Sequence, residues 1–537
     1  MRGKFVVLAT ASVIALAANV THAAEPSVVM LAVQTPADVG GPAEVGGPAE
    51  VGGPAEVGGP ANVGGEATRT AAEAAVADVG LTVEEGLQPL IDEALTANLE
   101  LRAGGSSVEQ RLAALDQARA RYLPVLDFAA RYTVADGGRT IDFPAGDLLN
   151  PAYATLDELL EASGQSPRFP RVRNETIPLL REREQETKLA LEQPIYEQRI
   201  GPAVDANRAQ LDRAQADLAA LRSRVIRDTK QAYYTWLASI QAVSVLDATL
   251  DAARANLAAN ESLYRNGRVT RDLVYRAQAD VLEIEQSRLA ATSRVRIARS
   301  YVNLLRSAPL TQALPEAAVD DATVARFRTR LLSTLAGRRL DEGVLQDLAA
   351  ERRQELRGLD AAVVAGEAQQ DVARAAFKPV LALGAEAGIQ GTDYGFGTDG
   401  KYALASLVLR WNAFRGGADQ AALREARALT SELRATRDLA AQRVRLEVQQ
   451  ALEDLEVADA SLETAAKRVE AAAGAFRITS RKRDLGQINQ AEFIDARRAY
   501  TDAALNLNRV RAEFLARLAE LEFAIGGTHR LDEERKG

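Results

Sequence analysis

Two stretches of the chain alternate between apolar and polar side chains, and each begins just after a proline. Beyond Pro124 and beyond Pro379, every second residue is apolar, which is the period of a β-strand with two unlike faces. Each stretch has a partner further along the chain, so the pattern predicts two hairpins with loops at 135–186 and 391–400. The apolar face would carry Leu126, Phe128, Tyr132, Leu189, Leu191, Leu381, Leu383, Ile389, Leu407 and Leu409.

A long helical pattern follows each predicted hairpin. These helices are predicted at 202–266 and 417–485, each roughly 100 Å long at 1.5 Å per residue. After a glycine, shorter helices return at 270–306 and 489–525. The long helices carry mostly apolar residues at alternating spacings of three and four, the seam of a coiled coil. The seams are Trp236, Ser239, Val243, Leu246, Leu250, Ala253 and Leu257, and Leu455, Ala458, Leu462, Ala465, Val469, Ala472 and Phe476.

These strands and helices occur twice in the same order. Glu100-Leu-Arg and Pro124-Val-Leu recur 255 residues later as Glu355-Leu-Arg and Pro379-Val-Leu. Beyond the hairpins the offset is 218 or 219, because the first hairpin has the longer loop. The chain is therefore predicted to be an internal duplication of about 180 residues per copy.

The remaining segments have distinct compositions. Residues 1–23 combine a charged start, an apolar run and a small-residue site, which predicts a secretory signal peptide; a retained anchor is the alternative. Residues 24–78 repeat the hexapeptide PAEVGG and predict a disordered spacer, with a cell-wall or partner-binding repeat as the alternative. We divide the rest into a first repeat (79–310), an inter-repeat segment (311–339), a second repeat (340–526) and a tail (527–537).

The composition offers little material for catalysis. The chain has no cysteine and only two histidines, His22 in the predicted signal and His529 in the tail. Thiol, triad and zinc chemistry are therefore improbable, as is anchoring as a lipoprotein. The formal net charge of -9 gives no electrostatic footprint for nucleic acid. We expect no enzyme activity, no cofactor, no metal and no nucleic-acid partner.

The predicted strands imply an oligomer. Beyond the signal, no run of 18 apolar residues occurs that could cross a membrane as one helix. Four strands cannot close a barrel, and an open sheet edge cannot face lipid. Two copies would give eight strands with a filled interior, whereas three would give twelve and leave a lumen. The predicted fold class is mainly α with membrane β: a homotrimeric 12-stranded β-barrel with the apolar strand face toward lipid, continued by a long α-helical coiled-coil barrel.

Over residues 81–526, the duplicated order of helix, strand, strand, long helix and short helix resembles the TolC-like outer-membrane factors. That family carries a proline, apolar, aromatic, Asp-Gly-Gly signature where the second strand enters the long helix. Here the matching segments are Pro194-Ile-Tyr-Glu-Gln and Asn412-Ala-Phe-Arg-Gly-Gly. The resemblance implies an outer-membrane channel of a Gram-negative cell with its helices in the periplasm. It would be the passive exit duct of a tripartite efflux pump or type I secretion system, opened by a periplasmic adaptor (membrane fusion) protein and an inner-membrane pump or ATP-driven transporter.

The resemblance also implies site residues. The turns between long and short helices would be tips that contact the adaptor, through Gly267, Arg268, Val269, Thr270, Gly486, Gln487, Ile488 and Asn489. Glu492 and Asp495 match an acidic ring at a periplasmic gate, where six carboxylates of a trimer would bind cations. Alternatively, the glycines only cap helices and the acids only favour a helix dipole. Ile488 stands where the family has arginine, and Leu273 and Arg276 stand at the first-copy positions of the acids.

Two other classes of protein account for part of the pattern. A periplasmic adaptor also uses a helical hairpin, but it is not duplicated with two amphipathic strand pairs. A periplasmic coiled-coil structural protein would explain the heptads and leave the four strands unexplained. Small-molecule efflux and protein secretion are both consistent with the sequence.

Overall fold

The computed structural model of the chain describes residues 81–334, 341–392, 400–485 and 487–527. The predicted signal peptide and spacer, most of the predicted tail, and Gly486 lie outside the described residues. The elements in chain order are α1 Val83–Ala97, α2 Leu99–Ala120, β1 Val125–Val134, β2 Thr140–Phe143, α3 Ala145–Ala162, β3 Glu175–Pro178, β4 Arg183–Tyr196, α4 Ile200–Arg265, α5 Arg271–Leu305, α6 Asp321–Thr334, α7 Glu342–Arg352, α8 Gln354–Ala375, β5 Val380–Gly391, β6 Lys401–Arg410, α9 Ala418–Asp484 and α10 Gln490–Ala524.

The long and short helices lie within two residues of the predicted bounds. The long helices α4 and α9 contain 66 and 67 residues, so each extends about 100 Å. The coiled-coil seams are also confirmed, because Trp236, Leu250, Leu455 and Leu462 are buried. Heptad spacing predicts these helices well because the buried stripe repeats over many turns.

The main apolar core contains residues from both repeats. Tyr233 and Leu237 of α4 pack there with Phe514 and Leu521 of α10, and all four are almost inaccessible to solvent. The Tyr233 hydroxyl donates a hydrogen bond of 2.7 Å to the carbonyl of Pro315, in the segment between the repeats. The duplicated halves therefore share one core.

In each repeat, one hydrogen bond joins the residue before an early helix to the end of the short helix; we call it the closing bond. In the first repeat, the side-chain amide of Asn98 donates to the carbonyl of Leu305 over 2.7 Å. In the second, Nη1 of Arg353 donates to the carbonyl of Ala524 over 3.3 Å. The donors are 255 residues apart and the acceptors 219, which are the offsets read from the sequence. The duplication therefore extends to individual contacts.

The sheet that joins the repeats has the antiparallel strand order β1-β4-β5-β6. Phe128 lies opposite Leu189, which lies opposite Ala387, and the other pairs follow the same register. Residues directly opposite in a sheet point to the same face. By this register, all ten residues predicted for the apolar face share one face of the sheet.

The first hairpin departs from the prediction. Strand β4 begins at Arg183 and so includes the last four residues of the predicted loop, and the loop itself contains the helix α3 and a two-stranded ribbon of β2 and β3. The misplaced strand start has a physical reason. Residues 182–186 are all charged or amidic, so no apolar alternation marks them as strand.

Within the part of the chain that the structure covers, no helix is both long enough and apolar enough to cross a membrane.

The closing bond of the first repeat gives a stability prediction. Asn98 is buried, and its Oδ1 also accepts hydrogen bonds from the amides of Glu100 and Leu101 at the start of α2. We expect Asn98→Ala to lower the free energy of unfolding by about 1–3 kcal/mol, because the helix cap and the bond to Leu305 are both lost. Urea unfolding followed by helical circular dichroism measures this change. Ser106→Ala, which removes a bond to its own helix only, is the control; equal effects of the two changes would contradict the account.

Candidate functional site: the helical tips and the two faces of the sheet

The first tip is a glycine turn between α4 and α5. Gly267 has a φ of 66°, and its amide donates to the carbonyl of Tyr264 over 2.9 Å. The amide of Arg268 donates to the carbonyl of Leu263 over 2.9 Å. This pair of bonds is the Schellman motif, which needs a left-handed residue that glycine adopts without strain. Gly267 therefore terminates α4, which agrees with the interpretation that the tip glycines cap helices.

The second tip repeats one of these two hydrogen bonds. The amide of Gln487 donates to the carbonyl of Lys482 over 2.8 Å, the equivalent of the Arg268 bond. Asn489 is the N-cap of α10, whereas the equivalent Thr270 makes no side-chain cap bond and instead donates to Asp272. The two tips thus share this backbone hydrogen bond and differ in how the returning helix starts.

The tips present a matched surface. Arg268 and Gln487 are exposed, Val269 and Ile488 are half-buried, and Thr270 and Asn489 are exposed. Residues 259–275, centred on the first turn, hold three basic and two acidic side chains, and the equivalent residues 478–494 hold the same numbers. Each tip is therefore a turn with a small excess of positive charge and one partly covered apolar side chain.

The two predicted gate acids have different surroundings. The amide of Glu492 donates to Oδ1 of Asn489 over 2.9 Å, and the Asn489 side-chain amide donates to Oε1 of Glu492 over 2.8 Å. This reciprocal pair of bonds resembles a capping box, so Glu492 supports the start of α10. Asp495 lies one turn further along and is exposed. The cap does not engage Asp495, so its carboxylate is the freer of the two.

A buried ion pair lies close to the tips and joins the two short helices. Nη2 of Arg497 on α10 donates to Oδ1 of Asp280 on α5 over 2.6 Å, and both side chains are only 3% exposed. Burial raises the pKa of the Asp280 carboxyl and lowers the pKa of the Arg497 guanidinium, against the attraction between the two charges. The pair thus carries a desolvation cost while it connects the first repeat to the second.

Polar contacts between α4 and α10 occur at several positions along the two helices. The hydroxyls of Thr249 and Thr501 are 3.1 Å apart, and the amide of Asn260 donates to Oε1 of Gln490 over 3.2 Å. Further from the tips, the amide of Asn508 donates to a backbone carbonyl of α4 over 2.7 Å. This contact differs from the one within the first helical hairpin, where apolar residues of α4 and α5 form a buried cluster, namely Leu250, Ala253, Val281 and Ile284.

The sheet has one apolar and one ionic face. On the apolar face, Phe128 is 71% exposed and Leu407 is 66% exposed. On the opposite face, Arg131 pairs with Glu186 at 3.2 Å and Lys188 pairs with Glu386 at 3.0 Å. These ion pairs connect β1 to β4 and β4 to β5, so they follow the sheet across both repeats.

Several of these contacts were not predicted from the sequence. The ion pair of Asp280 and Arg497 could have been suspected only from two charges at buried positions of short helices, a weak signal in a sequence that is 26% charged. The ionic face of the sheet did leave a signal, since Arg131, Lys188 and Glu386 alternate with the apolar set. Within the described ranges, no group of acidic or histidine side chains could hold a metal ion.

A comparison with known protein families identifies the family to which this fold belongs. The profile of one family, described as outer membrane efflux protein, matches residues 179–306 and 345–527, one segment in each repeat. The two segments include more than half of the chain. The chain belongs to the outer membrane efflux protein family. No curated protein matches the sequence.

Solved outer-membrane channels share the fold of this efflux protein. The CmeC channel of Campylobacter jejuni is 16% identical, with a TM-score of 0.65 over 84% of this chain and 89% of that one. VceC of Vibrio cholerae is 17% identical, with a TM-score of 0.64 over 82% and 96%. The open state of MtrE of Neisseria gonorrhoeae is 18% identical, with a TM-score of 0.63 over 82% and 89%.

Membership of the family gives the function at a coarse level. The chain is an outer-membrane efflux channel, a conduit rather than an enzyme. The TolC-like architecture expected from the order of elements is confirmed. The roles of the tips, of the acids and of the apolar strand face stay predictions.

The ion pair of Asp280 and Arg497 predicts a specific mutational pattern in this efflux protein. Asp280→Ala should lower the free energy of unfolding by about 3–5 kcal/mol, because it leaves a buried guanidinium without its partner. The double change Asp280→Leu with Arg497→Met should lie within about 1 kcal/mol of the wild type, since both desolvation costs are removed together. Urea unfolding of the purified protein measures both. A double variant as unstable as the single one would show that the pair stabilises the fold by itself.

Proposed function

We propose that three copies of the chain form a passive exit duct: a 12-stranded barrel in the outer membrane, continued by a helical tube into the periplasm. One observation carries this proposal. The four-stranded sheet ends at β1 on one side and β6 on the other. In hydrocarbon, the unpaired backbone groups of these outer strands would cost several kcal/mol each. Pairing β1 of one copy with β6 of the next removes that cost.

The two faces of the sheet support a membrane barrel with a polar lumen. The apolar face exposes large side chains such as Phe128 and Leu407 in the single chain, which suits contact with lipid. The opposite face carries the ion pairs of Arg131 and Lys188, which suit a water-filled interior. Twelve strands leave room for such an interior, whereas eight strands are filled by their own side chains.

The lengths of the helices support the tube. At about 100 Å, α4 and α9 are far longer than the roughly 30 Å hydrocarbon core of a bilayer. They start where the strands end, at Tyr196 and Arg410, so they extend away from the barrel on one side. We assign that side to the periplasm and the loops at the opposite end of the strands to the cell exterior.

The surface of the tips supports the partner proposal. Each tip has three basic and two acidic side chains around its glycine turn, and its half-buried apolar residue is Val269 or Ile488. We propose that these turns contact a periplasmic adaptor through a surface that is acidic on the adaptor's side, while an inner-membrane transporter supplies the energy. Export through the predicted signal peptide, residues 1–23, belongs to the same proposal.

We assign the gate chiefly to Asp495. Glu492 and Asp495 are both exposed on α10 close to the second tip, and only Glu492 is engaged in the helix cap. Three copies around an axis would bring six carboxylates together, which repel one another and attract cations. A closed end of this kind favours cations until the helices move apart.

Conductance tests the duct and its gate together. The purified mature protein in planar bilayers should give small, cation-selective channels. We expect Glu492→Gln with Asp495→Asn to lower the cation-to-anion permeability ratio several-fold, because six charges leave the constriction. Glutamine can still complete the capping box, so the tip should keep its fold.

The control changes the same number of charges elsewhere. Glu456→Gln with Glu470→Gln neutralises two exposed acids on α9 and should leave the selectivity unchanged. If the gate variant matches this control, the two acids do no more than support α10. A protein that never inserts into bilayers would contradict the duct and favour an adaptor or a coiled-coil structural protein.

A further inference from the structure

Helix α3, in the loop between β1 and β4, is held in place by its polar side. The amide of Asn150 donates to the carbonyl of Val172 over 2.8 Å, and the amide of Val172 donates to Oδ1 of Asn150 over 2.9 Å. At Gly146, an added Cβ would lie 2.5 Å from the same carbonyl. The helix therefore lies directly against the extended segment that follows it.

Further contacts fix the same side of the helix. The amide of Asn174 donates to Oδ2 of Asp147 over 2.9 Å, and the backbone amide of Arg168 donates to Oδ1 of Asp157 over 3.0 Å. The rings of Tyr153 and Phe169 also stack, with their centroids 5.2 Å apart. We call residues 135–182 the outer cap. Its helix is thus oriented before any partner binds.

The apolar side of α3 points away from these contacts. Successive helical residues are 100° apart, so the centre of the leucine stripe lies about 130° around the helix from Asn150 and Asp157. Leu148 is 67% exposed and Leu159 is 62% exposed. Apolar residues at spacings of three, four and three form a coiled-coil seam, namely Leu149, Ala152, Leu156 and Leu159. A helix that is held by hydrogen bonds on one side and exposes such a seam on another has no partner helix on that seam in the described part of the single chain.

The position of the cap points to other copies of the chain as the partner. It is continuous with β1, the outer strand that pairs with a neighbouring copy in the proposed trimer. It also lies at the end of the strands opposite the long helices. Any assembly that joins β1 to the next copy therefore brings three caps to the same mouth of the barrel.

Charge and size agree with that partner. Glu158 on α3 has no ionic contact with the rest of the described chain, and neither have Arg168, Arg171 and Arg173 on the following segment. Opposite charges of adjacent caps can therefore pair. Twelve strands about 4.8 Å apart and tilted by about 40° give a radius of roughly 12 Å. A helix of 18 residues is about 27 Å long and can reach the axis.

We propose that the α3 helices of three copies pack through Leu149, Ala152, Leu156 and Leu159 and form a cap that narrows the outer mouth of the channel. The proposal rests on the proposed trimer. It gives the duct a second constriction, apolar and extracellular, in addition to the acidic periplasmic one. The heptad spacing favours helices of other copies over a lipid surface, which requires no such register.

Cross-linking tests the cap, and the cysteine-free chain allows single cysteines to be placed. Leu156→Cys in outer membranes, treated with a short bis-maleimide, should convert most of the protein into covalent dimers. Glu161→Cys is the matched control, since it lies on the same helix about 140° away from Leu156. We expect at least ten times less cross-linked product from the control.

Native mass of the same samples separates the two proposals. A trimer with strong cross-linking of Leu156→Cys and weak cross-linking of Glu161→Cys supports the cap. A trimer in which the two variants react equally, or in which Leu156→Cys is modified only by a lipid-soluble maleimide, overturns the cap and leaves the duct intact. A monomeric mass overturns the proposed duct, and the cap with it.

A conductance measurement gives an independent readout. Leu149→Asp with Leu156→Asp should separate the three helices and raise the single-channel conductance at least two-fold, while the trimer mass stays the same. Unchanged conductance in a trimeric double variant would show that α3 does not narrow the pore.

Discussion

The structure depends on the unpaired backbone groups along the outer strands of one four-stranded sheet. Each chain supplies two hairpins, which the duplication places side by side, but β1 and β6 remain at the edges. In water such edges are tolerable, whereas in hydrocarbon they must be paired. The apolar face of the sheet favours lipid over water. The same face therefore places the sheet in the membrane and makes the pairing of its edges necessary.

The helical part combines two kinds of contact. Within the first helical hairpin, α4 and α5 meet through apolar residues such as Leu250 and Ile284. Between the repeats, α4 and α10 share the apolar core around Tyr233 and Phe514, but closer to the tips they meet through Thr249, Thr501 and other polar groups, and a buried ion pair joins the short helices there. Apolar seams are costly to separate, whereas polar groups can exchange protein partners for water. This distribution suits hairpins whose tip ends change their relative positions while the shared core stays intact, as the proposed opening of the duct would require.

Much of the fold could be predicted from the sequence because its signals are periodic. Heptad spacing gave the long helices to within two residues, and alternation after Pro124 and Pro379 gave the sheet and its apolar face. Contacts between distant residues left no periodic signal. The closing bond of Asn98, the pair of Asp280 with Arg497 and the folded outer cap each depend on tertiary packing. The role of Glu492 could not be decided from the sequence either, because the same acidic residue is compatible with a helix cap and with a gate.

The most direct measurement of the central claim is a cryo-EM density map of the full-length protein in lipid nanodiscs. We predict threefold symmetry, with the backbone of β1 in one copy hydrogen-bonded to β6 of the next. The apolar face of Phe128 and Leu407 should be toward lipid, and the ion pairs of Arg131 and Lys188 toward the lumen. A single copy in the bilayer, or a trimer in which β1 and β6 remain unpaired, would contradict it.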